Sequence, residues 1–310
     1  MHDTRTISRT DERPPDAAGS DDAVAETDQV LSPTRLAWKS FRRSKLGLVG
    51  SLMVLLLIVI AIGGEQFSPY DAYSMDSSVS LEPPSLAHPA GTDRFGRDQL
   101  TRLMEGTRIS MLVSFVAVVL SLVIGIPLGL IAGYYGGLAG TVIMRGVDVV
   151  FAFPTILLAL MLVATLGASL PNLILAIAVI FQANVVRIVR ASVMSVKERE
   201  FVEAARAVGA RDSVIMAQFI LPNVLSPVIV QATFHLSLAI FIEAALSFLG
   251  LGTQPPTPSW GLMLNESRTF MEFAPWLTIF PGLAIIFAVL GFNLMGDALR
   301  DAFDPRLSQR

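Results

Sequence analysis

The sequence predicts an all-α integral membrane protein with six membrane-spanning helices. Three observations carry that prediction. Hydrophobic residues make up 53% of the 310 residues and charged residues only 16%, against about 25% charged in a soluble domain. The mean hydropathy of +0.60 describes more apolar surface than an aqueous fold buries. Charge-free stretches also recur at lengths that suit a hydrocarbon layer of about 30 Å, which a helix of about 20 residues crosses. Six such helices fall near 46–63, 110–132, 145–167, 171–190, 224–249 and 275–296. Each satisfies its own backbone hydrogen bonds, as lipid requires.

The composition also excludes whole classes of function. With no Cys in the chain there is no disulfide framework, thiolate metal site or Cys nucleophile. The three His, at 2, 88 and 235, are too scattered for a metal centre. A net charge of -3 is far from the basic footprint of a nucleic-acid binder. No catalytic residue, metal or cofactor is expected.

The chain divides into four regions. Residues 1–40 form the first. Within it, residues 1–33 hold eight acidic residues, three Arg and several Pro, Gly, Ser and Thr, the composition of a disordered tail. The first apolar run starts too late for a cleavable signal, so the first span is expected to remain as an anchor. Residues 41–108 hold that span and an outer segment. There Leu100, Leu103, Met104 and Thr107 share one helical face and predict an amphipathic helix lying on the membrane. Residues 109–298 carry the other five spans, and 299–310 form a C-terminal tail. Pro127 is expected to bend the second span. The third and fourth spans part at Gly167-Ala168-Ser169-Leu170-Pro171.

Orientation follows from Lys and Arg beside the spans. Arg35, Lys39, Arg42, Arg43 and Lys45 precede the first. Arg187, Arg190, Lys197, Arg199, Arg206 and Arg211 lie between the fourth and fifth, and Arg300, Arg306 and Arg310 follow the last. An even number of spans puts all three groups on one side, predicted to be the cytoplasm. Arg94, Arg97, Arg102 and Arg108 in the first outer loop dissent, partly balanced by Asp93, Asp98 and Glu105.

The segment 191–222 after the fourth span is the most informative. Phe201, Ala204, Ala205 and Val208 fall on one helical face. Arg199, Glu203 and Arg206 are spaced to pair on the other. Gly209 suits a helix end in the left-handed conformation, Asp212 suits the cap of the next helix, and Leu221-Pro222 precedes the fifth span. This reads as two short helices around a turn. From the residues alone, the small-residue face fits a groove on a partner protein and an ordinary solvated loop equally well.

Here the sequence resembles a known family. Glu203-Ala204-Ala205, Gly209 and Leu221-Pro222 are similar, at matching spacing, to the EAA motif of ATP-binding-cassette importer permeases, with Phe219 where an Ile is usual. Further stretches resemble the dipeptide, oligopeptide and nickel branch. These are Gly91-Thr92-Asp93-Arg94-Phe95-Gly96-Arg97-Asp98 with Gly106 to Ser110, and Leu246 to Gly252 with Gln254 to Gly261. Asp148 with Ala152-Phe153-Pro154, and Asn293 to Asp297, also fit. The resemblance covers about residues 40 to 307. It implies the transmembrane domain of a type I importer, in which Glu203, Ala204, Ala205, Gly209, Leu221 and Pro222 form the coupling segment docked on an ATPase. It also implies a homologous permease subunit, two ATPase subunits and an extracytoplasmic substrate-binding protein as partners, besides membrane lipid. Short peptides are the expected substrate, with nickel and glutathione-like substrates as alternatives.

Polar residues inside spans are costly and often functional. Asp148, Gln182, Gln231, His235 and Glu243 are therefore candidates for the translocation path. Structural roles compete: an ion pair of Asp148 with Arg145 or Arg187, a bond from Glu243 to a neighbouring helix, a satisfied interior His235. Gly125, Gly129, Gly133 and Gly137 recur every fourth position. Such a stripe lets helices approach closely, within the chain or against the partner permease. Trp260, after Pro255, Pro256 and Pro258, suits either interfacial anchoring or docking of the binding protein.

Two other function classes fit less well. A secondary transporter usually carries paired interrupted helices and buried coupling charges. An intramembrane hydrolase needs a nucleophile and base, yet the spans hold no His-Glu-x-x-His and no Gly-x-Ser-x-Gly. No Gly-x-x-x-x-Gly-Lys-Ser/Thr phosphate loop is present either, so ATP hydrolysis is assigned to separate subunits.

Overall fold

In a computed structural model the chain is described over residues 41–303. The tail expected at 1–40 and residues 304–310 lie outside the described residues. The described residues are helical, with no β-strand among them. Helix α1 (Lys45–Phe67) starts at Ser44, whose hydroxyl accepts the Gly47 amide at 3.1 Å. Helix α2 (Gln99–Tyr134) has 36 residues and so reaches about 54 Å, well beyond the hydrocarbon. It continues through Pro127. Helix α5 (Leu170–Val196) begins after the expected break, with Ser169 as its cap. Helix α7 (Leu221–Phe248) and helix α9 (Trp276–Phe303) complete the long elements. Three short helices connect them: α3 (Gly137–Phe151), α4 (Thr155–Leu166) and α6 (Glu200–Ala207). A fourth, α8 (Trp260–Ser267), follows α7.

Five helices are long and apolar enough to cross a membrane, and α3 with α4 makes a sixth candidate bent by 92°. The third span expected near 145–167 is therefore this bent pair, which starts at Gly137, and not one continuous helix. Pro154 cannot donate to a continuing helix and excludes the helical conformation at the residue before it. The chain accordingly turns at Ala152-Phe153-Pro154 between helices of 15 and 12 residues. The amphipathic surface helix is a second correction. Residues 99–108 are the first turns of α2, which runs unbroken past residue 108, and Arg102 and Glu105 are buried rather than solvated.

The tightest helix pair is α2 with α5. A Cβ at Gly125, Gly129 or Gly133 would stand 2.6–2.7 Å from a side-chain atom of Val185, Val189 or Val193, respectively. The glycine stripe is thus an internal seam. Gly137, its fourth member, lies beyond the end of α2 with open space around it. Around the seam, one apolar cluster joins Val113, Ala117, Ile177, Phe181 and Ile242. A second joins Val189, Val193, Val202, Ile215 and Val224. A third sets Val54 and Leu57 of α1 against Ile240, Trp260 and Phe292. Large apolar side chains such as Leu46, Leu52 and Ile62 face outward, which the lipid reading requires.

The seam yields a prediction. Gly129→Leu should overpack it and destabilise the protein by about 1–3 kcal/mol, lowering the midpoint of heat-induced aggregation in detergent. Gly146→Ala, at a helical site with nothing within 4 Å, should leave the midpoint in place. An unchanged midpoint for Gly129→Leu would mean that the seam is loose.

Candidate functional site

Helix α6 presents a surface at one end of the bundle. Val202 and Ala205 turn inward onto Val193, Val196 and Ile215, while Phe201, Glu203, Ala204 and Val208 are exposed. Ala205, expected on the outward face, therefore belongs to the inward one: it falls at i+3 from Val202, and the α5–α7 cluster takes both. Among the described residues, Glu203 makes no ion pair with Arg199 or Arg206.

The helix ends as the sequence predicts. The Gly209 amide donates to the Arg206 carbonyl at 3.0 Å and that of Ala210 to the Ala205 carbonyl at 3.1 Å, the two bonds of a Schellman termination. Gly209 has φ +80°, a conformation that side chains with a Cβ disfavour. Asp212 is not the expected cap, since its carboxylate accepts the Tyr134 hydroxyl at 2.7 Å. The Arg206 guanidinium lies 6.0 Å from the Tyr134 ring centre, and Lys197 Nζ donates to the Gly133 carbonyl at 3.2 Å. These contacts tie the segment to the end of α2, through Tyr134, which pattern reading passed over, and through Lys197, Arg206 and Asp212, which it read for charge and capping alone. Tyr134, at the end of an apolar run beside Gly136-Gly137, was the one available signal.

Between the turn and α7 the chain forms a helical turn at Asp212–Val214 and a π-helix at Ile215–Ile220. Pro222, which donates no hydrogen bond, sits in the first turn of α7. The wider π turn just before it leaves room for the proline ring. Asn223 Nδ2 donates to the Phe219 carbonyl at 2.7 Å. Leu221 and Pro222 thus mark a change of helical winding, directly after the segment held by Tyr134.

The intramembrane polar candidates separate into two groups. Glu243 is fully buried, and the hydroxyls of Ser110 and Ser247 donate to its two oxygens at 2.9 and 2.8 Å. Ser110 also accepts the Trp260 amide at 3.4 Å, so this carboxylate joins α2, α7 and α8. His235 is buried and stacked on Phe181, with ring centroids 4.5 Å apart, and its Nδ1 has no partner among the described residues. Gln231 is partly buried on the same helix.

Asp148 and Gln182 instead line clefts that flank α3. Gln182 lines one of about 290 Å³ with Leu128, Val147, Val150 and Val186. Asp148 lines one of about 540 Å³ with Gly136, Gly137, Met144, Arg145 and Arg190. Asp148 meets Arg187 at 3.7 Å, both about half exposed, a pair of little energetic weight.

The opposite end of the bundle is held by ions. Arg97 Nε donates to Asp93 at 2.6 Å, and Arg102 Nη2 to Glu266 at 3.0 Å. Arg97 reaches Glu266 at 3.4 Å and Arg102 reaches Asp93 at 3.6 Å, closing a four-membered ring of charges. His88 Nδ1 lies 2.9 Å from Asp98, which also takes the Thr101 amide at 2.8 Å and caps α2. Trp260 Nε1 donates to the Leu103 carbonyl at 3.3 Å and Trp276 Nε1 to that of Thr92 at 3.4 Å. Trp260 has no exposed surface and is an internal strut. On the exposed rim, the hydroxyl and amide of Ser78 hold the Asp76 carboxyl below its ordinary pKa.

Five or six apolar helices, with a short helix at one end that exposes one face, make an integral membrane bundle. The family described as binding-protein-dependent transport system inner membrane component matches residues 125–309, and the N-terminal TM domain of oligopeptide transport permease C matches residues 32–84. The dipeptide transport system permease protein DppC of Alkalihalophilus pseudofirmus is 46% identical over 90% of this chain and 91% of its own length. The glutathione transport system permease protein GsiD of Pectobacterium atrosepticum is 44% identical over 92% of this chain and 95% of its own. A chain of the MetNI methionine ABC transporter, solved in inward-facing conformations, shares the fold with a TM-score of 0.53 at 20% identity, over 64% of this chain and 95% of that one. The chain belongs to the family of binding-protein-dependent transport permeases, whose members work with ATPase and substrate-binding components.

The ion ring can be tested. Arg102→Gln leaves Asp93 and Glu266 short of a partner in a buried site, a loss of about 3–5 kcal/mol. Purified yield and thermal midpoint should fall. Adding Glu266→Gln should restore part of the loss, because charge balance returns. Strictly additive effects of the two changes would dissolve the ring as a unit.

Proposed function

We propose that this chain and a homologous permease subunit form the translocation path for short peptides across the cytoplasmic membrane. Two separate ATPase subunits drive the path and an extracytoplasmic binding protein supplies it; this chain carries no ATPase site of its own. One observation carries the mechanism. The exposed face of α6, with Phe201, Glu203, Ala204 and Val208, sits on a helix tied to the ends of α2 and α7. Glu203 and Ala204 meet the ATPase, Ala205 and Gly209 set the angle of the helix, and Leu221 and Pro222 pass its displacement to α7. When ATP closes the two ATPases, α6 moves with them and the long helices rock around the path. Dipeptide and glutathione permeases among the relatives support a peptide substrate.

The path reading rests most on Asp148 and Gln182, which face clefts. Gln231 contributes from α7. Glu243 and His235 serve the path from behind, by fixing the helices that border it.

Gly209→Val tests the coupling role. Open space surrounds this position, so the strain comes from φ alone, on the order of 1–3 kcal/mol for a β-branched residue. The variant should reach the membrane yet lose ATP-driven uptake after reconstitution with the partner subunits. Glu203→Ala should reduce ATPase association less severely, since Glu203 is exposed. Normal uptake and binding-protein-stimulated ATP hydrolysis in Gly209→Val would remove α6 as the coupling element. Peptide uptake sustained by a proton gradient without ATPases would remove the importer reading.

Both termini and α6 are placed in the cytoplasm on the strength of the Lys and Arg distribution. The chain is free of Cys, so Ser77→Cys and Ser195→Cys each introduce a single, exposed thiol. An impermeant maleimide added to whole cells should label position 77 and spare 195. Labelling at 195 would invert the orientation.

A further inference from the structure

The cleft between the start of α3 and Arg190 of α5 holds charges that the fold does not match. Among the described residues Arg145 and Arg190 make no ion pair. Arg190 Nε is shut from water and has no acceptor. Asp148 lines the same cleft, one helical turn from Arg145 and on the same side of α3. Among the described residues its carboxylate pairs with Arg187 at 3.7 Å, longer than a well-formed charged hydrogen bond. At about 540 Å³ the cleft lies in the size range of small-molecule sites. It sits at the α6 end of the bundle, since Gly136 and Gly137 lie two and three residues past Tyr134.

The combination selects a chemistry. A bare divalent cation meets two guanidinium groups and a single carboxylate. A lipid phosphate satisfies Arg145 and Arg190 and sets a second anion beside Asp148, whose counter-charge among the described residues is Arg187 at 3.7 Å. A short peptide with free termini brings one anionic and one cationic end, separated in a dipeptide by at most about 7 Å. Side chains at i and i+3 on a helix, with Cβ atoms about 5–6 Å apart, cover that separation. We propose that this cleft receives a short zwitterionic peptide as it leaves the path, Arg145 and Arg190 taking its carboxylate and Asp148 its ammonium group. The proposal rests on the peptide-permease reading above. Partly exposed charges bind weakly, as a site that must release its substrate requires.

The test places a thiol in the cleft. In the complete transporter, with partner subunits free of reactive Cys and without binding protein, Met144→Cys is labelled by a maleimide while dialanine is titrated. Dialanine should protect the thiol, and dialanine amide should need at least about tenfold more. Arg145→Gln with Arg190→Gln should weaken protection by dialanine to a similar degree, Asp148→Asn should weaken it too, and Arg190→Lys should retain most of it. ATPase association and basal ATP hydrolysis show that the variants assemble. Equal protection by the acid and the amide, or protection that survives the double Arg variant, overturns the proposal. So does protection by vesicles of phosphatidylglycerol alone. ATP-driven dialanine uptake is measured in parallel. Uptake without charge-dependent protection removes this site and leaves the transport reading standing, whereas absent peptide uptake removes the reading beneath it.

Discussion

Gly125, Gly129 and Gly133 of α2 stand against Val185, Val189 and Val193 of α5, and the α6 end of the bundle is assembled on that contact. Lipid offers helices no hydrophobic reason to associate, so close packing of small residues carries much of the attraction. The three-valine ridge needs neighbours without side chains, and the i, i+4 spacing of the glycines keeps the two rows in register along three turns. At the end of the seam the Gly133 carbonyl receives Lys197, and Tyr134, one residue on, receives Asp212. Shifting the seam by one turn would move both anchors by about 5.4 Å and leave α6 without either.

The two ends of the bundle are built to different standards of rigidity. At one end, buried Asp93, Arg97 and Arg102 exchange charged bonds with the partly buried Glu266, and Trp260 is sealed between α2 and α7. Separating any member would expose an uncompensated charge to a dry site, so this end moves as a block or not at all. At the other end, α6 packs through Val202 and Ala205, and the polar contacts of its flanking residues Lys197 and Asp212 tie it to the end of α2. A π-helical turn follows directly, a winding that often marks functional positions. Elements that must move come from the weakly held part of a fold, and under the proposed coupling role α6 meets that requirement.

Much of this was legible in the sequence, for identifiable reasons. The α1, α5 and α9 spans follow from uninterrupted apolar length, and the Gly209 turn follows from glycine after a short periodic run. The bend in the third span was not legible, because hydropathy averages over Pro154, whose effect is local: a window of about 20 residues reads α3 and α4 as one segment. The inward turn of Ala205 was ambiguous because Ala is neutral between a contact face and a core. Only the neighbours, Val193 and Ile215, decide it, and they lie outside the short helix. Glu243 stood out as a charge in a span. Its partners Ser110 and Ser247 did not, because a hydroxyl in a membrane helix ordinarily bonds back to its own turn.

The Arg cluster around the start of α2 shows why a charge count differs from a charge. Arg94, Arg97, Arg102 and Arg108 oppose the orientation that the rest of the chain supports, if each is taken as free. In the fold, Arg97 and Arg102 are buried and answered by Asp93 and Glu266, while Glu105 lies 3.8 Å from Arg108. Glu266 reaches this site from a segment 164 residues further along the chain, beyond the sight of any rule that scores each loop separately. The positive-inside preference reads charge while segments insert, whereas neutralisation in the ring is a property of the assembled bundle. Arg97 and Arg102 are therefore structural ions of the folded end, and Asp93 and Asp98, four and one residues from Arg97, supply counter-charge close by in the sequence.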